Sequence, residues 1–398
     1  MMLLAAVCIH ALALGQAPPD EAPDAGLEQR VEDAGLPPEE DAGVLLVPLE
    51  PPDAGRETTV TARKMVDVRR VAGSAQVIGK EELERQEAND LHRVLQGVPG
   101  VYVREEDGFG LRPNIGIRGA SADRSGKVTL MEDGVLSGPA PYSAAAAYYT
   151  PLMTRMVGVE IYKGPASIRF GPQTIGGAVN LRTREAPRAF EGDLDISLGN
   201  YGSAKGHGVI GYGTDRFGVL LEGVHLRSDG FKQLDGGGNT GFDKNELMLK
   251  ARAATDRHEF QLKLGLATER SNESYLGISN DDFALTPQRR YAASANDQMN
   301  WWRTQMELTH TFTVSEEFEI STTAYRHDFE RVWNRLDHFR RGPALYDLLA
   351  YPTGGTGAVY RGILSGSEDT TTRDQQLMVV TTAAASSRRA FRRSPGWR

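Results

Sequence analysis

Several things are scarce in this chain of 398 residues, and each scarcity closes off a class of function. Cysteine occurs once, at Cys8, which excludes a disulfide framework and any cysteine-based metal centre. Positive charge is not in excess: 45 Lys and Arg stand against 53 Asp and Glu, so nothing in the net charge of -8 favours nucleic acid as a partner. No window offers 18 continuous apolar residues, so no membrane-crossing helix is expected. A membrane β-barrel stays open, because its strands alternate in polarity and hide from hydropathy. Catalytic patterns are missing too. The eight histidines are scattered without zinc-type pairing. Gly126-Lys127 looks like the end of a phosphate loop, but Val128 replaces the needed hydroxyl residue and Ser121 the first glycine. Glu105-Glu106-Asp107 and Asp281-Asp282 are expected to be solvated surface. We expect no enzyme, no cofactor and no resident metal.

What is present begins with a short apolar run, residues 3–15, too short to span a bilayer as a helix. With Ala13-Leu14-Gly15 as a cleavage site, 1–15 reads as a secretory signal peptide, although no basic residue precedes the run. A run of this length would also suit a buried N-terminal helix. Residues 16–56 repeat Asp-Ala-Gly at 24–26, 33–35, 41–43 and 53–55 among many prolines, with eleven acids against Arg30 and Arg56. So acidic a segment, poor in large apolar residues, cannot offset its ordering entropy and reads as an extended tether. Behind it stands a β-prone island, Glu57-Thr58-Thr59-Val60-Thr61-Ala62. It suits strand addition to a partner's sheet edge; it also suits the first strand of the next domain.

Residues 65–185 read as a compact α+β unit. Strands are expected at 71–78, 101–103, 115–119, 128–131, 157–162 and 178–182, and one helix at 80–96, ended by Pro99-Gly100. Glu132-Asp133-Gly134 carries an Asp-Gly hairpin signal.

From Gly192 the pattern changes. Leu247, Leu249, Ala251 and Ala253 alternate with Glu246, Met248, Lys250 and Arg252; Phe260, Leu262, Leu264 and Leu266 alternate with Glu259, Gln261 and Lys263. One face is apolar and the other charged over roughly ten residues, as a tilted membrane strand requires. A half-buried sheet of a sandwich alternates in the same way. The connections separate the two. Tight turns at 214–216, 255–257 and 315–316 alternate with long connections at about 228–245, 269–303 and 329–375, the asymmetry of outer-membrane barrels. We expect strands at about 192–199, 205–213, 217–227, 246–254, 258–268, 304–314, 317–328 and 376–386, within a barrel region 190–386. Eight strands close only around their own side chains, so a wall that surrounds the α+β unit needs more. The C-terminus is therefore expected to be incomplete, and the arginine-rich 387–398 is expected to leave the pattern as an aberrant basic tail.

Tether, ETTVTA island, glycine-rich unit and alternating strands, in this order, resemble the TonB-dependent outer-membrane receptors. ETTVTA resembles the TonB box. IRG at 117–119, LMEDGV at 130–135 and VEIYKGPASIRFGPQTIGGAVNLRTR at 159–184 resemble the plug signatures, with Lys163 where the family usually has arginine. NIGIRG at 114–119, PAPY at 139–142 and NESYLGISNDDFALTPQRRYAASANDQM at 272–299 resemble the ferric-citrate-type members. The resemblance implies a plug inside an antiparallel transmembrane β-barrel of about 22 strands, of which eight are expected here. It also implies uptake of a ferric chelate into the periplasm, driven by TonB with ExbB and ExbD, by a monomer in outer-membrane lipid. Residues 16–56 are too short and polar for the extra signalling domain of some relatives. On this reading Glu57, Thr58, Thr59, Val60, Thr61 and Ala62 meet TonB. Outward plug loops near 121–126 and 138–143 meet the chelate, with Arg124, Lys127, Arg289 and Arg290 neutralising it and Tyr142 in amphipathic contact. Rival cargoes are cobalamin, a catecholate siderophore or a carbohydrate. A non-transporting barrel and an inactive fragment are rivals of a different class.

Overall fold

The computed structural model describes residues 71, 73–137, 149–171, 174–316, 318–351 and 355–397. The expected signal peptide, tether, ETTVTA island and Tyr142 lie outside the described residues.

The α+β unit is built on a five-stranded sheet. Its members are β1 (Ser74–Ile78), β4 (Val128–Glu132), β5 (Val135–Leu136), β6 (Met156–Lys163) and β7 (Gly177–Thr183), in the order β1-β6-β7-β4-β5. β4 and β7 run parallel, and the other pairs are antiparallel. A separate hairpin pairs β2 (Val101–Arg104) with β3 (Asn114–Ile117). Helices α1 (Lys80–Gln86) and α2 (Leu91–Gln96) pack on the sheet through Leu83, Leu91, Val94 and Leu95. Val159, Ile161, Val179 and Leu181 meet them from β6 and β7.

The single helix expected over 80–96 is two. Glu87 ends α1 in the left-handed region (φ 46°), and Asp90 starts α2 by accepting a hydrogen bond from Arg93 N at 3.0 Å. An Asp N-cap inside the run was a legible stop signal. Glycine is required at Gly177: its φ is +151°, and a Cβ there would lie 2.5 Å from the Tyr162 carbonyl oxygen.

The second sheet contains β8 (Glu191–Leu198), β9 (Ala204–Gly213), β10 (Phe217–Ser228), β12 (Phe242–Ala254), β13 (His258–Ser271), β15 (Gln298–Thr313), β16 (Phe318–Phe339) and β17 (Leu377–Trp397). All pair antiparallel in chain order, and the sheet is open, with β8 and β17 as its edges. The strand number agrees with the sequence reading, but several strands run beyond the expected bounds. β17 does not end at 386. It stays paired with β16 through Trp397 opposite Phe318, so 387–397 is strand and not a departing tail. Main-chain pairing needs no alternation of side chains, and an edge strand tolerates Pro395.

The polarity of this sheet is inverted relative to a water-soluble one. Leu247 is 49 % exposed while its neighbour Glu246 is 4 % exposed; Leu264 is 38 % exposed and Lys263 4 %. Leu194, Ile196, Ile210, Leu221, Leu266, Met306 and Leu308 extend the exposed apolar face. A sandwich buries such a face, whereas a membrane wall turns it toward lipid.

The long connections carry structure of their own. β11 (Gln233–Leu234) pairs in parallel with β14 (Arg289–Arg290), joining two of them. Helices α3 (Asn280–Leu285), α4 (Leu345–Ala350) and α5 (Gly355–Ser365) fill the rest. Leu336, Phe339, Leu348, Ile363 and Leu364 form a core around Tyr291.

Candidate functional site

The site is the junction between the small unit and the charged face of the large sheet. Strand periodicity places Lys244, Glu246 and Lys250 of β12 on one face, together with Lys263 and Glu269 of β13 and Arg303 and Gln305 of β15. Register sets Lys250 directly opposite Lys263, a pairing that is repulsive by itself.

The resolution comes from the β4–β5 turn. Asp133 (φ 49°) and Gly134 (φ 78°) both lie in the left-handed region, as a tight type I′ hairpin demands. The turn sets Asp133 between the two lysines, 2.7 Å from Lys263 Nζ and 3.3 Å from Lys250 Nζ. Thr183 also donates to its carboxylate, from N at 3.0 Å and from Oγ1 at 2.5 Å. Glu132 beside it takes both guanidinium nitrogens of Arg155, at 2.9 and 3.1 Å, with Lys263 Nζ at 2.7 Å and Gln305 Nε2 at 3.2 Å. Arg155 extends to Glu246 on the wall and to the Tyr149 hydroxyl at 2.9 Å. Lys244 Nζ donates to the Thr150 carbonyl at 2.5 Å.

Burial alone would push both acidic side chains up. The charges of Arg155, Lys263 and Arg303 overcome it at Glu132, and those of Lys250, Lys263 and Arg182 at Asp133, holding both carboxyls well below the usual range. The same surroundings hold Arg155 firmly protonated.

Nearer the long connections the fastening changes character. Asp107 closes its own loop by accepting from Phe109 N, Gly110 N and Leu111 N. Phe109 then packs between Phe231 (5.3 Å between ring centroids) and Phe242 (4.9 Å). Arg112 pairs with Glu269 and lies 3.6 Å from Glu273. Burial and the nearby Asp107 and Glu269 outweigh Arg112 at Glu273, whose carboxyl is pushed up to about 7.

The sequence-selected residues do not form one cluster. Arg124 and Lys127 are exposed. Arg289 is held by Asp235 at 3.0 Å and Asp282 at 2.8 Å. Arg290 is buried and donates to Ser294 and the Asn272 carbonyl. In the structure these two arginines fasten the connections, while their neutralising a chelate stays an expectation; a sequence does not reveal which carboxylate comes near. Asp282 and Asp107, expected on solvated surface, are buried for the same reason. Asp282 accepts from Tyr291 Oη, from Ser279 Oγ at 3.0 Å and from Arg289 and Arg361. Among the described residues no three His, Asp or Glu side chains converge as a metal site.

Residues 67–178 match the TonB-dependent receptor plug domain. The small unit is similar to that plug domain over these residues and is called the plug below. The large sheet is the corresponding part of the barrel wall, and the expected fold class stands: an α+β plug followed by antiparallel barrel strands, eight of them in an open sheet. The chain is similar to two vitamin B12 transporters, both named BtuB and both from Vibrio vulnificus. One, from strain CMCP6, is 31 % identical over 185 residues, covering 44 % of this chain and 29 % of that protein. The other, from strain YJ016, is 28 % identical over 142 residues, covering 35 % and 22 %. The chain thus spans less than a third of these curated relatives. Among solved structures, the unliganded ferric citrate transporter FecA aligns with TM-score 0.57 at 23 % identity, over 66 % of this chain and 40 % of that one. The ferric yersiniabactin receptor FyuA of Yersinia pestis aligns with TM-score 0.58 at 18 % identity, over 67 % and 43 %. The plug is therefore fastened to its wall by Glu132, Asp133, Arg155 and Arg112; the sequence marked Glu132 and Asp133 as part of a turn and a plug signature, and none of the four as a fastener. Their signal was the unexplained charge on the inner face of each strand.

Proposed function

We propose that this chain works as a TonB-dependent receptor of the outer membrane, taking up a ferric chelate, ferric dicitrate or a similar siderophore. The ion-paired seat of the plug carries this reading. An apolar seal would resist separation in proportion to its buried area. Buried ion pairs instead fix the plug in one register against the wall, because a charge parted from its partner is costly, so the plug sits as an obstruction across the charged face. Such a part gates a passage, and the chain is a transporter, not an enzyme. The load enters at Glu57–Ala62, where TonB, energised by ExbB and ExbD, pairs by strand addition. The segment 1–15 exports the chain, which acts as a monomer in outer-membrane lipid. Arg124, Lys127 and Tyr142 meet the chelate, with no resident cofactor.

The resemblance of 114–119, 139–142 and 272–299 to ferric-citrate-type members supports the cargo. The BtuB relatives favour a second reading, cobalamin. Radiolabelled ferric citrate and cyanocobalamin, offered to a receptor-null host that expresses the protein, separate the two. Uptake of iron alone is expected, and uptake of cobalamin alone would overturn the cargo. Deleting 57–62 is expected to abolish uptake; unchanged uptake would remove TonB from the reading.

A further inference from the structure

The plug meets the wall in two different ways. Against β12, β13 and β15 the junction is crossed by ion pairs, and the void beside Asp133, Lys250 and Lys263 is about 20 Å³, room for about one water. Against β8 and β9 there is a cavity of about 230 Å³ between α1 and the wall. Lys80 and Glu84 line it from the plug, and Asp193, Asp195, Lys205 and His207 from the wall.

The charges of α1 and of the facing strands are satisfied without crossing it; at its margin Arg184, just after β7, pairs with Glu191 of β8 at 2.5 Å. Lys80 pairs with Glu84 at 3.5 Å within α1. Lys205 pairs with Asp195 at 2.6 Å, and His207 with Glu222 at 2.8 Å, within the wall. Among the described residues no hydrogen bond or ion pair joins α1 to β8 or β9. Moving α1 away from β8 and β9 therefore parts no ion pair between them, whereas moving the β4–β5 turn from β12 and β13 strips Asp133 from two lysines. The same side lies next to the entry of the chain. β1 is the edge strand of the plug sheet with β6 as its sole neighbour in the strand order, and α1 follows it directly. A pull from residues upstream of β1 reaches α1 before any wall-bonded residue of the plug.

We infer that the cargo passes between α1 and strands β8–β9, and that the ion-paired face against β12, β13 and β15 stays seated during passage. This rests on the proposed uptake function and adds the route. Charges of both signs line it, so it suits a hydrated, polar cargo without holding it by net charge.

The test uses the full chain in the outer membrane of a receptor-deficient host. Cys8, the one native cysteine, is replaced by Cys8→Ser. Single variants Glu84→Cys, Lys205→Cys and Asp195→Cys report the cavity, and Thr309→Cys, which lines the small void, reports the seated face. Whole cells receive ferric citrate and a membrane-impermeant maleimide, with TonB energised or de-energised, and labelling under denaturation checks that each cysteine is present. Several-fold faster labelling at 84, 195 and 205 on energisation, with no change at 309, is the expected result. Equal or greater acceleration at 309 overturns the route. Unchanged labelling at 84, 195 and 205 while uptake continues also overturns it and leaves the function standing. Loss of uptake together with labelling overturns both.

Discussion

Glu273 is a carboxyl placed where its charge is unwelcome, beside Asp107 and Glu269 with one guanidinium, Arg112, to serve them. Its acidity works against the folded state in a defined direction. The folded group titrates near 7 and the unfolded one near 4.5. Between those values the folded chain holds the extra proton, so stability falls as pH rises through that window. The full effect is up to about 3 kcal/mol, less whatever coupling to its neighbours removes. Thermal unfolding of the purified protein in detergent is expected to give a higher Tm at pH 5 than at pH 8. Glu273→Gln is expected to flatten that slope. A wild-type Tm independent of pH across the window would contradict the placement of this group. Glu132 and Asp133 act with the opposite sign, since their carboxyls are depressed; their contribution is present at neutral pH and disappears as acid protonates them.

Elements differed in how much of them the sequence revealed. Strands announced themselves wherever one side faces lipid, because period-two alternation is a local property of the chain. Asp133-Gly134 announced its turn, because only certain residues accept its backbone angles. The break between α1 and α2 was half legible: Asp90 is a capping residue, but Glu87 in the left-handed region carries no local mark. Order in the long connections was invisible, since it comes from partners far apart in the chain. Arg361 meets Asp282 from 79 residues away, and β11 pairs with β14. The same distance hid the fastening of Arg289. Asp282→Ala is expected to cost about 3 kcal/mol locally, because two arginines and a buried tyrosine hydroxyl lose a shared acceptor. Hydrogen exchange is expected to speed up roughly a hundredfold over 277–293 and 345–365. Protection in β12 and β13 is expected to hold. Equal loss in those strands would mean that the connections and the wall are one cooperative unit.

For the molecule as a whole, the inverted sheet is the deciding property. Its outer positions carry the exposed apolar face, and its inner positions meet the plug. Leu264 sits among Leu249 and Met306 on the outer face, in the middle of β13. Leu264→Arg is expected to cost about 2–4 kcal/mol, as a charge near the bilayer midplane does, while Leu264→Met costs little. Folding into lipid vesicles, followed by urea titration, measures the difference. A cost below about 1 kcal/mol would place this face outside the hydrocarbon.

The length of β16 has a consequence of its own. At about 3.3 Å per residue its 22 residues reach roughly 70 Å, and at a tilt of about 40° they rise some 55 Å. The apolar band of such walls is only about 25 Å tall. About half of the strand therefore stands clear of the hydrocarbon, like a pier above a waterline. Asp282, Tyr291 and the helices α4 and α5 are carried at its top. On the uptake function proposed above, a solute would first meet the protein well above the lipid headgroups, without having to enter the bilayer's polar layer.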